Sequence, residues 1–449
     1  MAKRKILLVH PRQYDMLYAN MKRAYHMRRY PPLGLMYISA SLEKGGYLTE
    51  IIDTTIAPIS SQKLVNKIKS EDYLFVGFYA DMATKKTVLE YLKLIKSQLN
   101  IPIVMGGPAS LSQNGNFQGI VNIICNGEGD LTVLDIAGCL EGKLEKSEIK
   151  GITYSENGDM ITNPPRELVS NLDSLPFPAR ERLPFDKYYD RYIFTVKEPY
   201  TTLITSRGCP MNCTYCASSQ FWRGKVRRRS VENVMAEIDE VYEKYRVKYI
   251  DIIDDTFTLD NKWLANFCDQ LIRKNFKFNW SCINHPHYMP EEVLIKMKKA
   301  GCDTLKIGLQ SADPIVLKEV NRDPGSPDKA LELIKKAKSI GFMVLLDFIF
   351  GLPGDNEETI SRNMLFSLRA DPTFAKFYKL SFLEGSELYS KRDEKIHNLS
   401  PRRIDELCRI AWRKFYFRLS KAWELSIWFY RNPRMIKHFT RYFMLLIRF

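Results

Sequence analysis

The chain has 449 residues, 45% hydrophobic and 27% charged, which is enough apolar material for large buried cores and a length suited to two or three domains, and excludes a tail or linker. Its formal charge of +15 is concentrated: residues 401–449 hold 12 Lys and Arg against 3 Asp and Glu, a surplus of nine, so the body is only mildly basic and no nucleic-acid partner is expected. Nine cysteines, no secretory leader after MAKRK, and no run approaching the roughly 18 apolar residues of a spanning helix lead us to expect a reducing cytoplasm and a chain that does not cross a membrane.

The first 145 residues alternate strand and helix patterns. KILLVH, LTEIID, LFVGFY, IPIVM and VNIIC are apolar runs of strand length, and LGLMYISASLEKGG and KKTVLEYLKLIKSQL between them have helical spacing that runs into Gly or Asn. Five strands with intervening helices predict a doubly wound parallel sheet, whose ligand sits beyond the carboxyl ends of the strands. Those ends hold Pro11, Asp53, Tyr79 to Asp81, Gly106-Gly107-Pro108 and Gly127-Glu128-Gly129. They are small or turn-forming residues that let backbone approach a bulky ligand, although each glycine alone also reads as a plain turn residue.

Residues 146–200 read as a connector. GITYSENGDMITNPP places Asn-Gly between two alternating runs, a hairpin signal, and SLPFPARERLPF is too rich in proline for regular structure. From residue 201 to about 390 alternation resumes. TTLITS, KYIDIID, FKFNWSCIN, TLKIGLQS, FMVLLDFIF and FAKFYKLSFL read as strands, and VENVMAEIDEVYEKY, NKWLANFCDQLIRKN, PEEVLIKMKKAG, PDKALELIKKAKSIG and NEETISRNMLFSLRAD as helices. Six units are fewer than the eight of a closed barrel, so a partial barrel is expected, again with its chemistry at the carboxyl ends of the strands. Residues 391–449 form a basic, aromatic tail. Trp412, Phe415, Tyr416, Leu419, Trp423, Ile427 and Tyr430 follow helical spacing, with Arg413, Lys414, Arg418 and Lys421 mostly on another face. Such a helix either packs as a bundle over the barrel mouth or lies on an anionic lipid surface.

Directly after the first strand of the second region comes TSRGCPMNCTYCASS, with Cys209, Cys213 and Cys216 on one tight loop. In a reducing compartment, clustered thiols bind metal or do redox chemistry more often than they form disulfides. Structural zinc usually takes four protein ligands, and the next Cys and His residues in sequence, Cys268, Cys282 and His285, are distant. Three thiolates suit a [4Fe-4S] cluster with one iron left open to a substrate or cofactor.

The C-x3-C-x2-C loop, with Tyr215 before the last cysteine, after the first strand of a partial barrel resembles the radical S-adenosylmethionine (SAM) superfamily. The resemblance implies that Cys209, Cys213 and Cys216 hold a [4Fe-4S] cluster, that the open iron chelates SAM, and that an external electron donor reduces the cluster so that SAM is cleaved to a 5'-deoxyadenosyl radical. It further implies SAM contacts at Tyr215, at Asp254 and Asp255 in IIDDTFT, at Gln310 and Ser311 in IGLQSAD, and at Gly351 in IFGLPGDNEET. Asp254 and Asp255 could instead cap a helix, and Gln310 stands where the family has a glutamate, so it can bond ribose hydroxyls but not as a carboxylate acceptor.

RRYPPLGLMYISASLEKGGYLTEIIDTT, VMGGPAS and CNGEGDLTVLDI resemble the cobalamin-binding domain that precedes the barrel in one subclass of that superfamily. The Asp-x-His-x-x-Gly motif of many cobalamin proteins is absent, so the corrin would be held without a protein lower ligand, by Tyr79, Gly106, Gly107, Pro108 and Gly127. The implied fold is a Rossmann-like cobalamin-binding domain, residues 1–145, and a partial (β/α)6 TIM-type barrel, residues 201–390, with a helical C-terminal extension. The implied function is methylation of an unactivated carbon of a small, hydrophobic or lipid-like substrate, by a cytoplasmic enzyme that is peripheral on the inner membrane face if the tail is interfacial. A radical SAM cyclase or other rearranging enzyme is the first alternative. A methylthiotransferase is the second, though it would ordinarily show another cysteine triplet where this chain has only Cys125 and Cys139.

Overall fold

The computed structural model describes residues 4–12, 28–111, 117, 119–190, 197–286, 289–431, 433 and 436. It divides into two compact units, Met1–Tyr188 and Tyr189–Phe449. Two short strands, β2 (Arg28–Arg29) and β9 (Tyr189–Asp190), are not part of either main sheet.

The first unit contains β1 (Lys5–His10), α1 (Leu33–Lys44), β3 (Leu48–Asp53), α2 (Ser61–Lys69), β4 (Tyr73–Tyr79), α3 (Lys85–Gln98), β5 (Ile103–Gly106), β6 (Ile123–Cys125), α4 (Gly129–Leu140), β7 (Ile152–Glu156) and β8 (Asp159–Thr162). Its sheet order is β3-β1-β4-β5-β6-β7-β8. The first five of these strands are parallel, and order reverses between β1 and β4, the switch point where doubly wound sheets bind ligands. Burial explains the apolar runs: Ile6, Leu7, Leu8 and Val9 of β1 are all within 2% of full burial, as expected for a central strand covered on both faces. Asn157 (φ 50°) and Gly158 (φ 92°) turn β7 into β8, and β7 pairs antiparallel with β6, so the predicted hairpin extends this sheet. Two helices are not among those the sequence predicts: α2 is nine residues long, and α4 opens inside the glycine-rich stretch at the predicted strand end.

The second unit contains β10 (Tyr200–Leu203), β11 (Ser206–Arg207), α5 (Ser218–Phe221), β12 (Arg227–Arg228), α6 (Val231–Tyr245), β13 (Tyr249–Ile252), α7 (Asn261–Lys274), β14 (Asn279–Asn284), α8 (Glu291–Lys299), β15 (Cys302–Gln310), α9 (Pro314–Glu319), α10 (Ser326–Ile340), β16 (Met343–Phe350), α11 (Glu357–Ala370), β17 (Phe374–Lys379), α12 (Glu387–Ser390), α13 (Pro401–Tyr416) and α14 (Leu419–Arg431). Six parallel strands run in the order β10-β13-β14-β15-β16-β17, an open partial barrel. Outward-facing rings pack on the helices: Trp280 against Phe267 of α7, Phe348 against Phe366 of α11, Phe377 against Trp412 of α13. The alternate residues face inward and include a polar set. The Lys306 ammonium lies 2.6 and 2.7 Å from the Asp251 carboxylate, which also accepts from Ser281 at 2.7 Å.

The tail does not form the single stripe predicted. The helix breaks at Phe417–Arg418, which rotates the pattern: Phe415 and Tyr416 are buried, whereas Leu419, Trp423, Ile427 and Tyr430 are 92, 71, 40 and 87% exposed. The predicted cover over the barrel mouth does not hold for α14. Trp428 packs on Phe374 and its Nε1 donates to the Met343 sulfur at 3.1 Å, and Lys421 donates to the Pro372 carbonyl at 2.8 Å. These partners mark the amino-terminal ends of β16 and β17, the base of the barrel. Of residues 432–449, all but 433 and 436 lie outside the described residues.

Candidate functional site

The cysteine loop leaves β11 and returns at β12, two strands of two residues each that pair antiparallel and close it like a clasp. Gly208 holds φ +99°, and a Cβ there would lie 2.0 Å from the Lys225 carbonyl oxygen, so only glycine fits where the loop begins. Asp254, after β13, fastens the same start: its carboxylate accepts from Thr205 N at 2.6 Å, Thr205 Oγ1 at 2.5 Å and Ser206 Oγ at 2.6 Å. Burial raises the carboxyl's pKa, and the three donors oppose that shift. Asp254 has both oxygens engaged inside the chain, whereas Asp255 is exposed and accepts from Gly208 N at 3.1 Å.

Cys213 is buried and Cys209 and Cys216 are partly open. Around them lies an apolar bed of Val316, Val320, Leu352 and Leu388, with Met211, Ile349, Leu380 and Phe382 against it. Among the described residues no three His, Cys, Asp or Glu converge as ligands of a single ion would; a four-iron cube holds its thiolates farther apart. Burial, Asp255 and the neighbouring thiols push Cys216 up to about 11, so without a cation it stays a protonated thiol. Iron would supply the charge that reverses this. Two buried hydroxyls in the loop, Thr214 Oγ1 and Ser218 Oγ, have no hydrogen-bond partner, as expected where donors await an acceptor such as cluster sulfur. The loop therefore fits a [4Fe-4S] cluster.

The other SAM candidates from the sequence lie at the same carboxyl edge. Tyr215 is buried, its hydroxyl 3.2 Å from Arg322 Nη1. Gln310 ends β15 after a skipped pairing position and adopts φ 74°, an uncommon backbone for this residue type, with its amide folded back over Gly308. Ser311 is fully buried and is used inside the chain, accepting from Asp313 N at 3.1 Å. Gly351 (φ +89°) donates its N–H to Asp355 at 2.8 Å and has Ile404 of α13 close by. Sequence reasoning missed Arg322, Thr214, Ser218 and Thr256, whose Oγ1 is 3.4 Å from Cys209 Sγ. Thr214, Ser218 and Thr256 stand inside the quoted stretches but as unremarkable hydroxyls, and Arg322, outside them, meets the loop only through the fold.

In the first unit, Tyr79, Gly106, Gly107 and Pro108 come together at the carboxyl edge. Tyr79 pairs with Gly106, and a Cβ on Gly107 (φ +101°) would stand 2.6 Å from the Ala80 carbonyl and 2.9 Å from the Tyr79 ring. Gly127 (φ +92°) opens onto free space at the end of β6. The Tyr79 ring lies 5.5 Å from His10, which bonds Asp53 at 3.1 Å, and Tyr188 donates to the other Asp53 oxygen at 2.8 Å. Thr55 Oγ1 and Ser110 Oγ, past β3 and β5, are buried without a partner. Backbone that admits close approach and hydroxyls with unmet bonding capacity fit an amide-rimmed macrocycle such as cobalamin.

Residues 203–366 match the radical SAM superfamily model, and residues 28–137 match the B12 binding domain model. An uncharacterized methyltransferase of Pyrococcus horikoshii is 29% identical over 86% of this chain and 88% of its own length. The cytidylyl-2-hydroxyethylphosphonate methyltransferase of Streptomyces wedmorensis is 27% identical over 80% and 77%. In fold, the chain is similar to the radical SAM methyltransferase TsrM of Kitasatospora setae, solved with tryptophan and a SAM analogue: TM-score 0.73 at 15% identity, over 89% of this chain and 78% of that one.

Proposed function

Because this chain belongs to the cobalamin-dependent radical SAM superfamily, we propose that it is a C-methyltransferase acting on an unactivated carbon of a hydrophobic or lipid-like substrate. The observation that carries the methyl-transfer reading is the likeness along most of the chain to two methyltransferases, 29% and 27% identical, with a B12-binding region ahead of the cysteine-loop barrel. Bound at the places described, the cluster with SAM supplies a radical able to take hydrogen from such a carbon, and cobalamin supplies the methyl group. The chain's own part is positioning. Cys209, Cys213 and Cys216 would hold the cluster, and Asp255, exposed beside Gly208 N, is the better placed of the two carboxylates to meet the SAM amino group. Asp254 positions the loop from beneath. The apolar bed keeps water from Cys213 and gives a hydrophobic substrate walls to lie against at the mouth. Below it the charged inner face offers no match to an apolar body, so the reacting carbon stays near the loop. SAM labelled in its methyl group tests the reading: label should enter the product, and product made without label would establish the cyclase or rearranging alternative.

Among the described residues no helix is long and apolar enough to cross a membrane. The exposed stripe of Leu419, Trp423, Ile427 and Tyr430, with exposed Arg413 and Lys414 on the preceding helix and nine surplus positive charges in the tail's sequence, supports peripheral attachment to an anionic bilayer. The full chain should float with anionic vesicles, less as salt rises, and hardly with neutral ones. Leu419→Glu with Trp423→Glu should abolish flotation without unfolding, since both side chains are largely in solvent. Equal flotation of both forms would reject the lipid contact.

A further inference from the structure

A buried guanidinium stands behind the cysteine loop. Arg322 is 9% exposed, and its Nη1 lies 3.6 Å from Cys213 Sγ and 3.2 Å from the Tyr215 hydroxyl. Its other nitrogens donate to backbone carbonyls: Nε to Leu309 at 3.1 Å and Nη2 to Gly308. No carboxylate pairs with it among the described residues. Its positive charge therefore faces the thiol with only neutral acceptors around it. The turn that carries it is firm: Arg322 N bonds the Leu317 carbonyl at 2.8 Å, and Thr214 N bonds the Val320 carbonyl at 3.2 Å, which stitches the end of α9 to the cysteine loop.

We infer that Arg322 is a positioning residue that raises the reduction potential of the cluster and, through the same side chain, holds the bulged end of β15 that presents Gln310. The inference rests on the cluster reading above. Reduction by the external low-potential donor adds one electron, and so one negative charge, to the cluster and its three thiolates. A desolvated cation within hydrogen-bond reach of one sulfur favours the reduced form, because net charge and hydrogen bonds to sulfur are what the protein uses to set such potentials. The second arm acts on geometry. Gly308 and Leu309, whose carbonyls Arg322 binds, lie where β15 skips a pairing position beside β16, and the next residue, Gln310, takes its left-handed backbone there. Arg322 thus links the electron-accepting loop to a SAM candidate residue on another strand. A lysine keeps the charge but cannot serve sulfur, hydroxyl and two carbonyls from one planar fork.

The test uses the full chain, reconstituted without oxygen, with Arg322→Lys, Arg322→Gln and Arg322→Met beside the unaltered protein. Iron content is measured first, then the midpoint of the reduced cluster's paramagnetic signal in a potentiometric titration. Arg322→Gln and Arg322→Met should lower the midpoint so that, at a fixed potential, the ratio of reduced to oxidised cluster falls about tenfold, which is about 59 mV for one electron. Arg322→Lys should recover most of that shift. If the Met variant loses its iron, the comparison of Lys with Gln decides. Iron-loaded variants with the midpoint of the unaltered protein, or equal midpoints for Lys and Gln, overturn the inference and leave Arg322 a packing residue. Failure of the unaltered protein to build a cluster would instead overturn the cluster reading itself.

Discussion

Replacing any one of Cys209, Cys213 or Cys216 by Ala should strip most of the iron from protein prepared without oxygen and reduce SAM cleavage to background. The loop has only these three thiols, and the remaining cysteines are poorly suited to substitute for them. Burial, helped by Asp130 beside the first and Asp405 beside the second, pushes Cys125 and Cys408 up to about 12, so both remain protonated at neutral pH. Cys268, Cys282 and Cys302 are buried too, the first on α7 and the others on β14 and β15. Serine at Cys268 or Cys408 should leave iron content unchanged. Iron analysis and the paramagnetic signal of the reduced protein check the set, and a full [4Fe-4S] signal in all three loop variants would refute the assignment.

The largest expected effect on stability lies inside the barrel. Lys306→Met should destabilise the second unit by about 3–5 kcal/mol, because it leaves the Asp251 carboxylate, 2% exposed, without its cation. That is a large part of the roughly 5–15 kcal/mol that holds a typical domain folded. Ser281 offers only one hydrogen bond to the stranded charge. The double variant Asp251→Asn with Lys306→Met should regain much of the loss, since removing both charges also removes the cost of keeping them from water. Urea unfolding followed by tryptophan fluorescence, which reports Trp280 on the neighbouring strand, measures both. A single variant as stable as the unaltered chain would mean that water or another group already neutralises Asp251.

The strands were legible because each is a short apolar run, and the six of the barrel emerge at close to their predicted bounds; β15 begins at Cys302, two residues before the run TLKIGLQS. The thiol loop was legible because its ligands are adjacent in sequence. What the sequence hides is direction and distance. Adjacent Asp254 and Asp255 look alike in one dimension, yet one points into the fold and the other to solvent. Arg322 lies 109 residues from Cys213, and nothing in VNRDPG marks it. Gln310 could be named as a departure from glutamate, but its left-handed backbone depends on pairing with β16. The tail misled because helical spacing carried across residues 417 and 418 assumes one continuous helix, and a two-residue break is enough to turn a core stripe outward.

The placement of α14 at the base of the barrel has a consequence for how substrate arrives. Trp428 and Lys421 fix the inner side of this helix to the starts of β16 and β17, while the cysteine loop lies at the opposite, carboxyl ends. α13 spans the difference along β17: Lys379 bonds Pro401 and Asp405 at one end, and Tyr416 bonds Ala375 at the other. If the outer stripe of α14 rests on a leaflet, the barrel stands with its floor on the lipid and its doorway toward the water. Substrate would then come in by the aqueous route. A molecule dissolved in the bilayer must be lifted out, by a carrier or as a monomer, before its carbon can reach the loop, and adsorption would serve to station the enzyme near such traffic rather than to feed it sideways from the leaflet.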